Sequence, residues 1–332
     1  SPFISQQFFG SSEQANLISI IYITVFFNIF SGLAFSMLRA KERSISYTTL
    51  YFIRFALTLI LNIYFVVYLH LNVYGILIGN LIAHIIVGLA FIPAVVKYVK
   101  FKYNKFFLKK LFSFGLPIIP ASLAMWIMDL SDRYYLEHFS NLTEVGLYSL
   151  GYKIGMVIYV LIVVPFQLAW SSLSYQVSNL KQVKDIYAKT LTYYLFGSCF
   201  IALLLSLFSG IIIKALSSPE YYSASGVVWL IAFSYVLYGI HFVVVIGLHL
   251  KEKTKYYPLL VIIPAVINLI LNYFVVPAYG MTGAAFTTLL SFIIMAIMTY
   301  YVSQYYYKVN YEIGRIAKIF IVAFAIDRKS VV

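Results

Sequence analysis

The chain has 332 residues, of which 62% are hydrophobic and only 11% charged, a balance that excludes an ordinary soluble domain. A formal net charge of +13 would suit nucleic acid if it formed one basic face. Most of it instead lies in short gaps between long apolar runs, which argues against a nucleic-acid partner and for contact with membrane lipids.

A hydrocarbon core about 30 Å thick takes about 20 apolar residues to cross as a helix. Nine such runs follow one another: 15–38, 46–69, 74–97, 112–136, 146–172, 190–214, 226–249, 258–277 and 282–306. Every second gap is basic. Arg39, Lys41 and Arg43 follow the first span, and Lys97, Lys100, Lys102, Lys105, Lys109 and Lys110 precede the fourth. Lys181, Lys184 and Lys189 precede the sixth, Lys251, Lys253 and Lys255 the eighth, and Lys308, Arg315 and Lys318 follow the ninth. Together these gaps hold 18 of the 24 Lys and Arg residues. The intervening gaps carry Glu13, Glu137, Glu144 and Glu220 instead. Short cytoplasmic loops collect Lys and Arg, so the basic gaps are expected in the cytoplasm, in a multi-pass protein of the cytoplasmic (inner) membrane. Tyrosines cluster at span ends, as at Tyr134-Tyr135, Tyr221-Tyr222, Tyr256-Tyr257 and Tyr305 to Tyr307, where amphipathic rings suit the interface. The single Cys199 says nothing of redox compartment. The chain starts at Ser1-Pro2 without Met, and the apolar run 319–326 is too short to span before Asp327-Arg328-Lys329. Both ends therefore read as truncated.

An internal repeat organises the spans. Met37 to Asn62 resembles Gly247 to Asn272 at a constant offset: Lys41-Glu42-Arg43 falls on Lys251-Glu252-Lys253, Tyr47 on Tyr257, and Leu59-Ile60-Leu61-Asn62 on Leu269-Ile270-Leu271-Asn272. After a shortened loop Tyr74-Gly75 matches Tyr279-Gly280, and Gly79 matches Ala284. Both copies leave a basic loop, so the repeat is parallel, related by an axis along the membrane normal. Spans one to three correspond to seven to nine. The expected organisation is a first lobe of six helices of which three are present, residues 1–111 with the basic inter-lobe loop. A complete second lobe covers 112–306, and a truncated further helix 307–332.

Polar groups inside a span are costly and face a bundle interior or a wet cavity. On a 3.6-residue period several form stripes. Tyr47, Tyr51, Arg54, Thr58 and Asn62 share a face in the second span; its repeat copy keeps Asn268 and Asn272 but has Pro264 in place of Arg54. Ser122, Trp126, Asp129 and Arg133 share a face in the fourth, with Asp132 beside them, and Lys153, Val160, Gln167 and Ser171 in the fifth. Ser234, Tyr238, His241 and His249 do so in the seventh. Asp129, Asp132, Arg133 and Lys153 are expected to meet between two adjacent helices. They form either an ion-pair cluster that fixes register or a site where Arg133 and Lys153 face an anionic group, since guanidinium and ammonium suit phosphate oxygens. His84 and His241 lie near mid-membrane, as a proton relay would need or as hydrogen-bonded packing residues. Pro117, Pro120, Pro165 and Pro264 mark kinks, with Pro117, Pro120 and Pro165 as candidate hinges. Gly75-x-x-x-Gly79 suits close helix approach. No His pair has zinc-site spacing, and neither metal nor cofactor is expected.

Residues 115–153 carry a recognisable string: Gly115-Leu116-Pro117 with Pro120, Asp132-Arg133, Glu144-Val145-Gly146-Leu147-Tyr148-Ser149 and Tyr152-Lys153. It resembles the polysaccharide-unit flippases, exporters of O-antigen and capsule repeat units within the multidrug/oligosaccharidyl-lipid/polysaccharide exporter superfamily. That resemblance covers residues 10–325 and lacks a counterpart to the family's first helices. It implies two six-helix lobes around a central cavity and alternating access. The substrate it implies is a polyprenyl-pyrophosphate-linked oligosaccharide, with a polysaccharide polymerase and glycosyltransferases as further partners. On that reading Arg133, Lys153 and Arg54 attract the pyrophosphate, positioned by Asp129 and Asp132, while Gln167, Asn62 and aromatic rings contact sugar. A cation-coupled drug or metabolite antiporter of the same superfamily is the alternative. A membrane-embedded polymerase would need a substantial loop with catalytic groups. The longest connection on the non-basic side, from Tyr134 to Gly146, shows no convincing acid/base pair, and no enzyme is expected.

Overall fold

The computed structural model describes residues 15–41, 43–98, 104–116 and 118–330. Pro117, Lys100, Lys102, Glu13 and Glu42 lie outside the described residues. Among the described residues all regular structure is helical. The chain divides into two compact units, Ser1–Asn104 and Lys105–Val332, so the division falls just ahead of the boundary expected after residue 111.

In the first unit α1 (Ala15–Ala40), α2 (Ser44–Ile63, continued by a wide π-helical turn Tyr64–Tyr68) and α3 (Asn72–Tyr98) pack as a three-helix group. Phe35, Phe91, Val87, Ala34 and Leu38 form its small core. Every residue of α2 stays at least partly accessible, in keeping with a helix whose far side meets lipid or another helix rather than water.

The second unit begins with α4 (Lys105–Gly115), a short amphipathic helix where the sequence reading placed the end of a loop. Lysines 105, 109 and 110 alternate with Phe106, Phe107, Leu111 and Phe112 in a pattern suited to the membrane interface. Next come α5 (Ile118–Phe139) and α6 (Leu142–Gly155). A π-helical segment Tyr159–Val163 links α6 to α7 (Val164–Gln176), and α8 (Val183–Leu216) follows. The remainder comprises α9 (Ser225–Val244), α10 (Ile246–Leu250), α11 (Tyr257–Tyr306) and α12 (Ile313–Ser330). The Asn141 side chain caps α6 by accepting from the Glu144 backbone N–H at 2.9 Å. α9 is apolar all round and is the hub of the unit, packed by α6, α8 and α11. α6 lies close upon it because Gly151 and Gly155 lack side chains: a Cβ at Gly151 would stand 2.5 Å from the Ala224 carbonyl oxygen, and one at Gly155 2.7 Å from Ile231 Cβ.

Among the described residues eight helical stretches are long and apolar enough to cross a membrane, but α11 cannot be a single rod. Its 50 residues would extend about 75 Å at 1.5 Å per residue, against a core of about 30 Å. Gly280 breaks it with φ 51° and ψ −135°, a conformation that side chains strongly disfavour. The chain then folds back: the hydroxyls of Tyr256 and Tyr306, at opposite ends, are 2.9 Å apart, and Thr287 donates to the Asn272 amide oxygen. Divided at Gly280, the eight stretches give nine apolar helical segments, the number of apolar runs read from the sequence. The chain is a multi-pass helical membrane protein.

Candidate functional site

The centre of the second unit is a buried carboxylate. Asp132 on α5 is 1% exposed. It accepts hydrogen bonds from Tyr148 of α6, from Asn272 Nδ2 at 2.7 Å, and from Thr288 Oγ1 at 2.9 Å. Asn272 Nδ2 also reaches Asn268 Oδ1 at 3.2 Å, which takes the Ser131 hydroxyl at 3.3 Å. Thr287 bridges the Asn272 amide to the Ala284 carbonyl, the latter at 2.8 Å. One carboxylate therefore ties together α5, α6 and both arms of α11. An unpaired carboxylate would be intolerable here, and satisfied donors are what let it remain. Chemically, this is a buried acid held by three donors, able to take up a proton.

Asp129, one turn earlier, faces elsewhere. Its Oδ1 accepts from the Tyr152 hydroxyl at 2.9 Å, itself 2.7 Å from the Tyr235 hydroxyl. Asp129 lines a cavity of about 280 Å³ with Ser122, Met125, Trp126, Tyr238, Tyr257 and Val261, so the Ser122–Trp126–Asp129 face read from the sequence borders an open space. Arg133 donates through Nη1 to the Asp129 backbone carbonyl at 2.6 Å and through Nε to Ser149 Oγ at 3.3 Å. Its guanidinium lies 4.7 Å from the Tyr152 ring centre and 5.7 Å from that of Tyr148. It makes no ion pair among the described residues. Backbone, hydroxyl and aromatic faces position Arg133, where the sequence reading assigned that task to the carboxylates. Three of its five N–H donors are left over.

Lys153 does not join this group. On α6, Tyr148 and Tyr152 are four residues apart and take the packed face, which turns Lys153 about 100° away onto the exposed side. Val160, Gln167 and Ser171 are also at least partly accessible, but the end of α6 at Gly155 and the π-helical segment Tyr159–Val163 shift the register between them and Lys153. In the first unit, the Arg54 guanidinium lies 4.7 Å from the Tyr51 ring centre and 5.2 Å from that of Phe35. The Asn62 amide oxygen packs over Gly79 and has no hydrogen-bond partner. Asn272 and Ala284, the repeat equivalents of Asn62 and Gly79, are joined through Thr287.

His84 Nδ1 lies 2.8 Å from the carbonyl oxygen of Asn80 in its own helix. His241 is fully buried, with Nδ1 2.8 Å from Thr299 Oγ1 and Nε2 unpartnered. Pro120 sits in the first turn of α5, where its missing N–H costs no intrahelical bond. Pro165 follows the π-helical segment Tyr159–Val163, whose wider turn accommodates it. No group of three His, Cys, Asp or Glu residues fit to hold a metal occurs among the described residues. The sequence reading missed Tyr148 and Thr288 as partners of Asp132, Tyr152 as the partner of Asp129, and Thr287 and Tyr235 behind them. The Thr287-Thr288 pair in an otherwise apolar span was the available signal.

The family described as "Polysaccharide biosynthesis protein" matches residues 1–171. The chain belongs to that family. A second family, MatE, matches residues 117–274, and no curated protein matches the chain. Among solved structures, an outward-facing multidrug resistance MATE family transporter of the MOP superfamily superposes with TM-score 0.75 at 14% identity, covering 95% of this chain and 73% of that one. The lipid II flippase MurJ in an inward closed conformation gives 0.70 at 16%, covering 92% and 66%. The Vibrio cholerae MATE transporter VcmN gives 0.71 at 16%, covering 92% and 74%. At such identities the likeness is one of fold: this chain has the helical architecture shared by MATE transporters and MurJ. It spans about two thirds to three quarters of their length.

Proposed function

We propose that this protein carries polyprenyl-pyrophosphate-linked oligosaccharides across the cytoplasmic membrane by alternating access, with its basic loops in the cytoplasm. The observation that supports this most is the match to a polysaccharide biosynthesis family over residues 1–171, together with a fold shared with a lipid II flippase. The physics of the task fits. A sugar headgroup drawn unaided through hydrocarbon loses hydrogen bonds at several kcal/mol per polar group, and a polar path through the protein replaces them while the polyprenyl tail stays in lipid. Arg133, with N–H donors to spare, is the pyrophosphate contact, and Lys153, exposed on another face of α6, is a separate cation along the path. Gln167, partly accessible on α7, is a sugar contact on the same reading. The buried Asp132 is the element that a coupling proton loads.

Charge reversal tests the assignment. Arg133→Glu and Lys153→Glu, expressed at normal levels, are expected to halt surface-polysaccharide assembly and leave lipid-linked intermediates in the cytoplasmic leaflet. Unchanged assembly in both would remove the pyrophosphate role. The MatE match over residues 117–274 and the acidic cavity at Asp129 favour a second reading, an antiporter of organic cations. That reading predicts cation efflux that Asp129→Asn abolishes while lipid-linked sugar is left in place.

A further inference from the structure

We infer that the cavity between α5, α9 and the first arm of α11 is a saccharide subsite that takes one neutral sugar ring, stacked on Trp126 and hydrogen-bonded to Asp129 and Ser122. This deepens the transport reading above and rests on it.

Four observations lead there. The cavity, about 280 Å³ and lined by Ser122, Trp126, Asp129, Tyr238 and Tyr257, lies below the roughly 300–1,000 Å³ of drug-sized sites. A space of that size suits a single ring. Trp126 is 61% exposed and stands four residues from Ser122 on the same helix face, so its large ring borders the cavity. The electron-rich face of such a ring attracts the C–H face of a pyranose as it attracts aromatic edges. The Asp129 carboxylate is aimed, not loose: Oδ1 is fixed by Tyr152 at 2.9 Å, and Tyr152 in turn by Tyr235 at 2.7 Å. Its other oxygen has no hydrogen-bond partner among the described residues. A carboxylate held in this way is a strong acceptor for sugar hydroxyls.

The fourth observation separates a sugar from an organic cation, for which an acid among aromatic rings is the usual box. Arg133 binds the backbone carbonyl of Asp129 itself at 2.6 Å. Arg133 offsets part of the acidity of Asp129, so a cation entering beside Asp129 also meets the field of a guanidinium. A neutral ligand rich in hydroxyl donors meets no such opposition. By the same reasoning an anionic pyrophosphate is not the occupant of this cavity.

The test uses the full chain in nanodiscs with three probes: neutral methyl glycosides of hexoses and N-acetylhexosamines, tetraphenylphosphonium, and inorganic pyrophosphate. Tryptophan emission and equilibrium dialysis of labelled probe are read together. At least one glycoside is expected to shift the emission, and Trp126→Phe to remove that shift. Asp129→Asn is expected to weaken glycoside binding by about tenfold or more. Val261→Phe, which fills the cavity without touching a polar contact, should block binding while the protein keeps its gel-filtration profile. Absence of glycoside binding at any concentration tried, or binding that survives Val261→Phe, would overturn the subsite. So would binding of tetraphenylphosphonium alone, lost in Asp129→Asn, or displacement of bound glycoside by pyrophosphate. Transport of a labelled lipid-linked oligosaccharide is measured alongside. Normal transport by Trp126→Ala and Asp129→Asn would reject the subsite and spare the transport reading. Glycoside binding without lipid-linked transport would reject the latter and spare the former.

Discussion

Replacing Asp132 by alanine should unpick the second unit more than any other single change in it. Three donors on three chain segments end on this carboxylate: Tyr148, Asn272 and Thr288. In water-soluble cores each orphaned donor would cost about 1–3 kcal/mol. Interhelical hydrogen bonds in membranes are worth less, about 0.6 kcal/mol on average and up to about 1.7, because the separated helices find other partners. Three such bonds give about 2–5 kcal/mol. In a unit of this size each kcal/mol moves Tm by about 2–4 °C, so Asp132→Ala is expected to lower Tm by about 4–20 °C in a detergent thermal-shift assay. Tyr148→Phe removes one donor and leaves the acid; its loss should be near a third of that. In the double variant the two losses should fall short of their sum, since the contact between them is already gone. A Tm within 1 °C of the parent for Asp132→Ala, or strict additivity, would refute the role given to this acid.

Further outcomes follow from single contacts. Gly280→Ala places a Cβ at positive φ against the Glu144 carboxylate, which accepts the Met281 N–H at 2.9 Å. It should destabilise by about 1–3 kcal/mol, read by the same thermal shift. Gly155→Leu should separate α6 from α9 and lower both yield and Tm. Glu312, in the connection ahead of α12, is held below the usual carboxylate range by the Thr192 hydroxyl at 2.8 Å and then by Arg315. A depressed acid contributes stability above its unfolded pKa that is lost as pH falls through its folded value. Thr192→Val should therefore raise the Glu312 pKa toward normal, visible in side-chain carboxyl NMR; an unmoved resonance would refute the contact's importance.

Much of this architecture was legible before any coordinates. A bilayer imposes one length on every crossing, so nine apolar runs separate cleanly even where composition is otherwise monotonous. The Tyr279-Gly280 match to Tyr74-Gly75 already marked a turn where the helix reads as continuous. α4 was not legible, because Lys and Phe alternating beside a basic loop resemble the loop itself. The polar centre was half legible. Helical periodicity placed Asp129, Arg133, Asn268 and Asn272 on faces, but a face does not name the helix opposite. Asp132 meets Thr288 across 156 residues of chain, and no periodicity carries that far. Lys153 shows the same gap from the other side: its neighbour Tyr152 took the packed position, and a one-residue step round the helix moved the charge to the open face.

The transport claim meets its most direct test in proteoliposomes. The protein is reconstituted with a fluorescent polyprenyl-pyrophosphate oligosaccharide in one leaflet, and sugar reaching the other is scored by a membrane-impermeant lectin or glycosidase. The account predicts transfer that depends on the protein and falls at least tenfold with Arg133→Glu. Equal rates in protein-free vesicles, or full transfer by that variant, would contradict it.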